Sequence, residues 1–411
     1  MVERRVLGLS EERGRWGFVA LGFLANLCMG AVYAFSVFRK PLEAEWGITA
    51  TQSGLPFMVF LAVFALGMAL AGGLVEKWGP KKAGILGGVL VGLGWILARF
   101  SPNVGVLTLF YGGVGGTGVG VAYGCPIAVV GRWFPDRRGL ALGLTLTGFG
   151  ASALVVAPIM NALISAYGPL PTFLILGVTF LAVMVLAALP MRFPPPGWKV
   201  VSPKGKAAPS GADLDRGHMV RRPTFWALWG VYTIGCLAGL MAIGIAAPFG
   251  RELAQLSAGL SAAAVSVFAV FNGVGRPLFG WLTDRITPRY AGTLSFVLIL
   301  LASLLLWGRG RSPVAYFVGF SVLWLNLGGW LAIAPAATAT LFGTAHYAKN
   351  YGLMFTAYGV GAILGNVMSG LLRDLTNSYV AVFPPVMALA GLGIVVALLG
   401  LPRSGMKVEG K

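Results

Sequence analysis

Long, nearly uncharged apolar stretches dominate the chain, and the polar positions gather between them. Apolar runs occupy 16–38, 54–75, 83–100, 104–131, 140–166, 171–189, 224–249, 261–281, 290–307, 314–341, 352–372 and 379–401. Each is near the roughly 20 residues a helix needs to cross a hydrocarbon layer, so the pattern predicts twelve spans. One interval stands out. Residues 190–223 hold Pro194, Pro195 and Pro196, a Ser/Gly/Pro-rich run and seven basic residues, which reads as a linker with a helical piece around Asp213–Arg222. The expected organisation is a tail over 1–15, a six-helix bundle over 16–189, the linker over 190–223, a second six-helix bundle over 224–401 and a tail over 402–411. The predicted fold is an all-α membrane protein: twelve transmembrane helices in two pseudo-symmetric six-helix halves.

Composition agrees. Of 411 residues, 57% are hydrophobic and 11% charged, with a mean hydropathy of +0.81, which no soluble domain of this size matches. The net charge of +18 would suit a nucleic-acid binder, but its distribution refutes that. Lys and Arg number 23 in the tails and alternate loops that include the linker, against 7 in the other loops. This is the positive-inside asymmetry, and it predicts a multi-pass protein of the cell (inner) membrane with both termini cytoplasmic.

Other chemistry is hard to find. Cys28, Cys125 and Cys236 stand singly in apolar runs, and His218 and His346 fall in separate loops, so neither a metal site nor a catalytic constellation is expected. The run Gly113-Val-Gly115-Gly-Thr-Gly118 matches a dinucleotide fingerprint by letter only; inside an apolar span, small-residue helix packing is the expected role. No cofactor and no enzymatic activity are expected.

Arg276 is the exception. It lies in the eighth run, about five residues past the middle, or roughly 7 Å along a helix. A guanidinium at membrane depth costs about 2.5–3.5 kcal/mol on insertion scales, so such residues mark functional sites. Asn272 shares its face one turn earlier, and Gly273, Gly275, Pro277 and Gly280 allow bending and close approach. No Asp or Glu lies inside any run; all 13 are in loops, tails or at run ends. A lone arginine without acids suits a small carboxylate, held by a charge-assisted fork, and argues against cationic cargo. Tyr33, Tyr123, Tyr358, Trp330, Asn326 and Asn26 stand well inside runs as further candidates, Asn26 with Tyr33 on one face and Asn326 with Trp330 on another.

A repeat links the halves. Gly73-Leu-Val-Glu76-Lys77-Trp-Gly79-Pro-Lys81-Lys82 follows the second run, and Gly280-Trp-Leu-Thr-Asp284-Arg285-Ile-Thr287-Pro-Arg289 follows the eighth. These paired loops, the six-plus-six layout and the long middle loop resemble the major facilitator superfamily, with Thr287 where a glycine is usual. Three stretches are similar to its oxalate/formate antiporter and monocarboxylate transporter branch. They are Gly30-Ala-Val-Tyr33-Ala-Phe-Ser36-Val-Phe38 with Pro41-Leu42, Tyr123-Gly-Cys-Pro126 through Arg132-Trp-Phe-Pro-Asp136-Arg137-Arg138-Gly139, and Asn350-Tyr351-Gly352. Monocarboxylate carriers of that branch keep an acid where Asn272 stands here, and the oxalate carrier has a lysine in the place of Tyr358.

The resemblance implies alternating access around a midplane site. Arg276, Asn272, Tyr123, Tyr33 and Tyr358, with Trp330, Asn326 and Asn26, would bind a small monocarboxylate, lactate- or pyruvate-like. Glu76, Lys77, Asp136, Arg137, Asp284 and Arg285 would gate the cytoplasmic side. Transport would be exchange or proton-coupled symport, by a monomer in the lipid bilayer. An oxalate/formate-type antiporter and a transporter-like receptor are the alternatives.

Overall fold

The structure, a computed structural model, describes residues 5–134, 138–195, 214–343 and 346–403. Apart from a two-residue hairpin pairing Arg5–Val6 with Leu9–Ser10, the described residues are helices and their connections. Twelve helices are long and apolar enough to cross a membrane. They are Glu12–Ala34, Ala50–Ala71, Lys77–Ala98, Val104–Trp133, Ala141–Tyr167 and Pro169–Ala188, then Pro223–Glu252, Ala258–Thr283, Arg285–Arg309, Pro313–Phe342, Lys349–Thr376 and Tyr379–Gly400. They are called here the first to twelfth spans. An even number returns both described ends of the chain to the same face of the bundle. Within the linker a short helix, Arg216–Val220, is capped by Asp215, whose carboxylate accepts the His218 backbone N–H at 2.8 Å.

Glycine sets how closely the spans approach. A Cβ on Gly118 would stand 2.4 Å from the Val91 nitrogen, one on Gly116 2.6 Å from the Phe60 oxygen, and one on Gly120 2.7 Å from the Gly67 Cα. The glycine run of the fourth span therefore works as packing, against the second and third spans, around a π-helical turn at Thr108–Gly115.

The paired loops do not unwind into loops. The second span continues into the third, and the eighth into the ninth, through single kinked residues, Gly79 at φ 77° and Thr287 at φ 74°. Each precedes a proline (Pro80, Pro288), which disfavours the α region for the residue before it and favours an extended ψ. Lys77 and Arg285 are exposed, and Arg285 lies over the Trp281 ring at 5.2 Å. Of the other expected gating residues, Asp136, Arg137 and the side chains of Glu76 and Asp284 lie outside the described residues.

The halves meet along two seams. In one, the second span faces the eleventh: a Cβ on Gly359 would meet the Ala65 methyl at 2.8 Å, and one on Gly370 the Thr51 Cα at 2.6 Å. In the other, the fifth span faces the eighth, and Ser266 donates to the Ala153 carbonyl at 3.2 Å.

Candidate functional site

Arg276 reaches across the second seam. Its Nη1 donates to the Leu146 carbonyl of the fifth span at 2.9 Å. Its Nε and Nη2 are buried and have no hydrogen-bond partner. Those two atoms form the side-on edge of the guanidinium, the pair of parallel N–H groups that fits a carboxylate. Room beside that edge comes from Gly150, where a Cβ would lie 3.2 Å from Nε and 3.0 Å from the Asn272 Oδ1.

Asn272 is held from behind. Its Nδ2 donates to the Trp324 carbonyl at 3.2 Å, which leaves its Oδ1 buried without a partner. The eighth span sits close enough for this because Gly328 faces it: a Cβ there would stand 2.1 Å from the Asn272 backbone oxygen.

Three of the expected tyrosines converge here. Tyr33 of the first span and Tyr358 of the eleventh share a hydrogen bond between hydroxyls at 2.9 Å, joining the two halves. Tyr123 lies within electrostatic reach of Arg276, as Tyr33 does, without a hydrogen bond of normal geometry to it. Phenylalanines pack around them. Phe64 lies 5.2 Å from Tyr123 and 5.9 Å from Tyr358, Phe149 lies 5.1 Å from Tyr33, and Phe355 stacks on Tyr358 at 4.8 Å. The result is an aromatic box with one cation at its side, all of it buried apart from the partly exposed Arg276.

The other three expected residues are placed elsewhere. Trp330 packs within its own bundle, 6.3 Å from Tyr232 and 5.2 Å from Phe296, filling the space over Gly235 and Gly292. Asn326 returns its amide to the Val322 carbonyl at 2.7 Å. Asn26 does the same with Gly22 at 2.8 Å and packs beside Gly148, inside the first half. Sequence reasoning passed over Phe64, Phe149, Phe355 and Gly150. Each is an ordinary apolar residue in an apolar run and carries no signal on its own.

At the end opposite the termini the halves are joined by polar groups. Arg39, one residue past the end of the first apolar run, is 1% exposed: its Nη1 donates to Gly244 in the other half at 2.8 Å and its Nε to Ser53 at 3.0 Å. Glu252 receives Arg373 at 2.7 Å and also pairs with Lys40 across the halves. Burial pulls the Lys40 pKa down, but the hydrogen bonds and charges of Glu252 and Glu43 more than reverse it, leaving it above the ordinary lysine value. Asp374 caps the second span, accepting from the Ala50 and Thr51 backbone N–H groups at 3.1 Å each. This end is closed.

A twelve-span protein with a buried cation and aromatic box between two halves has the architecture of a secondary carrier. The Major Facilitator Superfamily matches residues 19–365, and the chain belongs to that family. It is a multi-pass membrane transporter. It is 29% identical over 404 residues to the oxalate:formate antiporter of Oxalobacter formigenes, covering 96% of this chain and 93% of that protein. It is 28% identical over 396 residues to monocarboxylate transporter 13 of Bos taurus, covering 94% and 90%. Among solved structures, a bacterial homolog of the human lysosomal transporter Spinster, inward-facing and unoccupied, aligns at a TM-score of 0.70 and 17% identity over 94% of this chain and 95% of that one. That last likeness concerns the fold.

Proposed function

We propose that this transporter carries small monocarboxylates, lactate- or pyruvate-like, with both termini cytoplasmic. The observation that carries the reading is the Nε/Nη2 edge of Arg276, buried between the halves with no partner. A buried donor pair without acceptors is penalised, and a carboxylate satisfies both N–H groups at once. The aromatic box suits a short carbon chain, and the Tyr33 and Tyr358 hydroxyls suit a 2-hydroxy or 2-oxo group. Two named relatives, an oxalate:formate antiporter and a monocarboxylate transporter, support the same chemical class.

Charge counting separates the monoanion from the dianion. Around the box Arg276 is the one formal cation among the described residues, and Tyr358 offers a neutral phenol. A second buried carboxylate without a cation would be penalised by several kcal/mol, so the box favours monoanions over oxalate. The oxalate/formate exchanger is the second reading, favoured by the 29% identity.

The test is uptake of labelled pyruvate, lactate and oxalate into proteoliposomes, for wild type and Arg276→Lys. Lysine keeps the charge but loses the planar fork, so the variant should express and fold yet lose most transport. Near-normal uptake by Arg276→Lys would remove Arg276 as the anchor. Oxalate uptake matching that of lactate would favour the second reading.

A further inference from the structure

A second polar recess lies on the same seam, at the closed end. A cavity of about 130 Å³ sits between the halves, lined by Ser36 and Lys40 after the first span, Asn161 and Ser165 of the fifth, and Arg251 and Ser261 at the facing ends of the seventh and eighth. A single water needs only about 10–15 Å³ of such space, so the recess has room for a small organic anion. The Ser36 and Ser261 hydroxyls, 2% and 1% exposed as residues, are buried here without hydrogen-bond partners. Lys40 is shared between Glu43 and Glu252. Arg251 forms no ion pair with any described residue, so the uncompensated charge in the recess is positive.

Its position gives the recess a purpose. Ser261, Val265, Phe268, Asn272 and Arg276 follow one another at steps of three or four, on one face of the eighth span. From Ser261 to Arg276 is 15 residues, or about 22 Å along the helix. Ser36 stands three residues beyond Tyr33, at the start of the helix Ser36–Trp46 that follows the first span. The recess is thus the outer end of the seam whose middle holds the aromatic box. Between them along this face Val265 and Phe268 are fully buried, Phe268 against Tyr316, Phe320 and Trp324 of the tenth span.

We propose that this recess is an outer vestibule that binds a small carboxylate before the outer end opens, with Arg251 as its cation and the Ser36 and Ser261 hydroxyls as hydrogen-bond donors. The assignment rests on the carboxylate reading of the central site. A positive recess at the outer end of the seam, with Arg251 exposed at it, raises the local concentration of anions and their capture rate by about tenfold or more, an effect that salt screens. Arg251 therefore acts on loading from one side only.

Right-side-out vesicles and proteoliposomes of known orientation test this. At low ionic strength, Arg251→Gln should raise KM for external pyruvate about tenfold. It should leave KM from the cytoplasmic face unchanged, and the difference should shrink in high salt. Arg251→Lys should restore the external KM. An equal rise on both faces, or none, overturns the vestibule. A chemical readout is independent of turnover. The native cysteines are all buried, so Ser165→Cys, at an exposed wall of the recess, gives a clean label. An anionic thiol reagent should react with it faster than a neutral one of similar size, external pyruvate should slow the reaction, and adding Arg251→Gln should abolish both effects. Absence of a charge preference, or equal protection by chloride at the same concentration, rules out a carboxylate site there. If wild type neither binds nor moves any monocarboxylate, the central reading fails instead.

Discussion

Thr287→Gly should make the protein more stable. Thr287 has φ 74° and ψ 156°, a region open in practice to glycine alone. A β-branched residue there is a backbone outlier, and such residues cost about 1–3 kcal/mol. The Thr287 hydroxyl is also buried without a partner, a further penalty on the order of 1 kcal/mol. Glycine removes both and gives back about 0.5–1 kcal/mol through the extra freedom of its unfolded chain. The net expectation is stabilisation by about 1–3 kcal/mol.

The other half of the molecule supplies the control. Gly79 has φ 77° and ψ 162°, and a Cβ there would meet nothing within 4 Å. Gly79→Ala therefore adds no clash and costs only the conformational term, about 1–3 kcal/mol in the opposite direction. Melting in detergent at matched scan rates reads both variants. With about 2–4 °C per kcal/mol for chains of 150–250 residues, and less for a longer one, a rise of a few degrees is expected for Thr287→Gly and a fall of similar size for Gly79→Ala. If Thr287→Gly melts at or below the wild-type temperature while Gly79→Ala falls, the strain assigned to Thr287 is wrong.

Three further predictions bear on the central site. Gly150→Ala places a methyl 3.0 Å from the Asn272 Oδ1 and 3.2 Å from the Arg276 Nε, so the guanidinium must yield by a few tenths of an ångström; substrate affinity by tryptophan quenching should fall about tenfold with the melting temperature nearly unchanged, and unchanged affinity would detach Gly150 from the site. Tyr358→Lys should weaken monocarboxylate transport and introduce oxalate binding that the wild type lacks; unaltered selectivity would mean that Tyr358 does not face the substrate. An amide at Asn272 offers no negative charge to balance Arg276, so an empty carrier reorients with an unbalanced charge, and efflux of preloaded label should be faster with external substrate than without; equal rates would refute an exchange preference.

Much of this molecule is readable from its sequence because the membrane permits so few solutions. A span must be apolar and long, so twelve runs yield twelve spans, and an arginine among them needs a reason. The boundaries shift where polar residues are tolerated at helix ends: the first span begins at Glu12 rather than 16, and the ninth at Arg285 rather than 290. Arg276, Asn272, Tyr33, Tyr123 and Tyr358 could be picked out because each is polar at membrane depth. Phe64, Phe149, Phe355 and Gly150 could not, since their part in the site depends on which helices meet.

Helical periodicity also assigns a residue to a face without saying what that face meets. Asn326 and Trp330 share a face of the tenth span as expected, yet that face points into their own bundle, where Trp330 lies over Gly235 and Gly292. Asn26 and Tyr33 were expected on one face of a regular helix. A 3₁₀ turn at Gly30–Ala34 intervenes. Such a turn advances about 120° per residue against 100° in an α-helix, so the four residues up to Tyr33 add roughly 80°. That rotation leaves Asn26 beside Gly148 in the first half and carries Tyr33 to Tyr358 in the second. It also explains Arg39, which follows one residue past the apolar run, in the helix Ser36–Trp46, and turns inward to Gly244. A local change of helix pitch has decided which residues of the first span face the other half, and no count of apolar positions contains it.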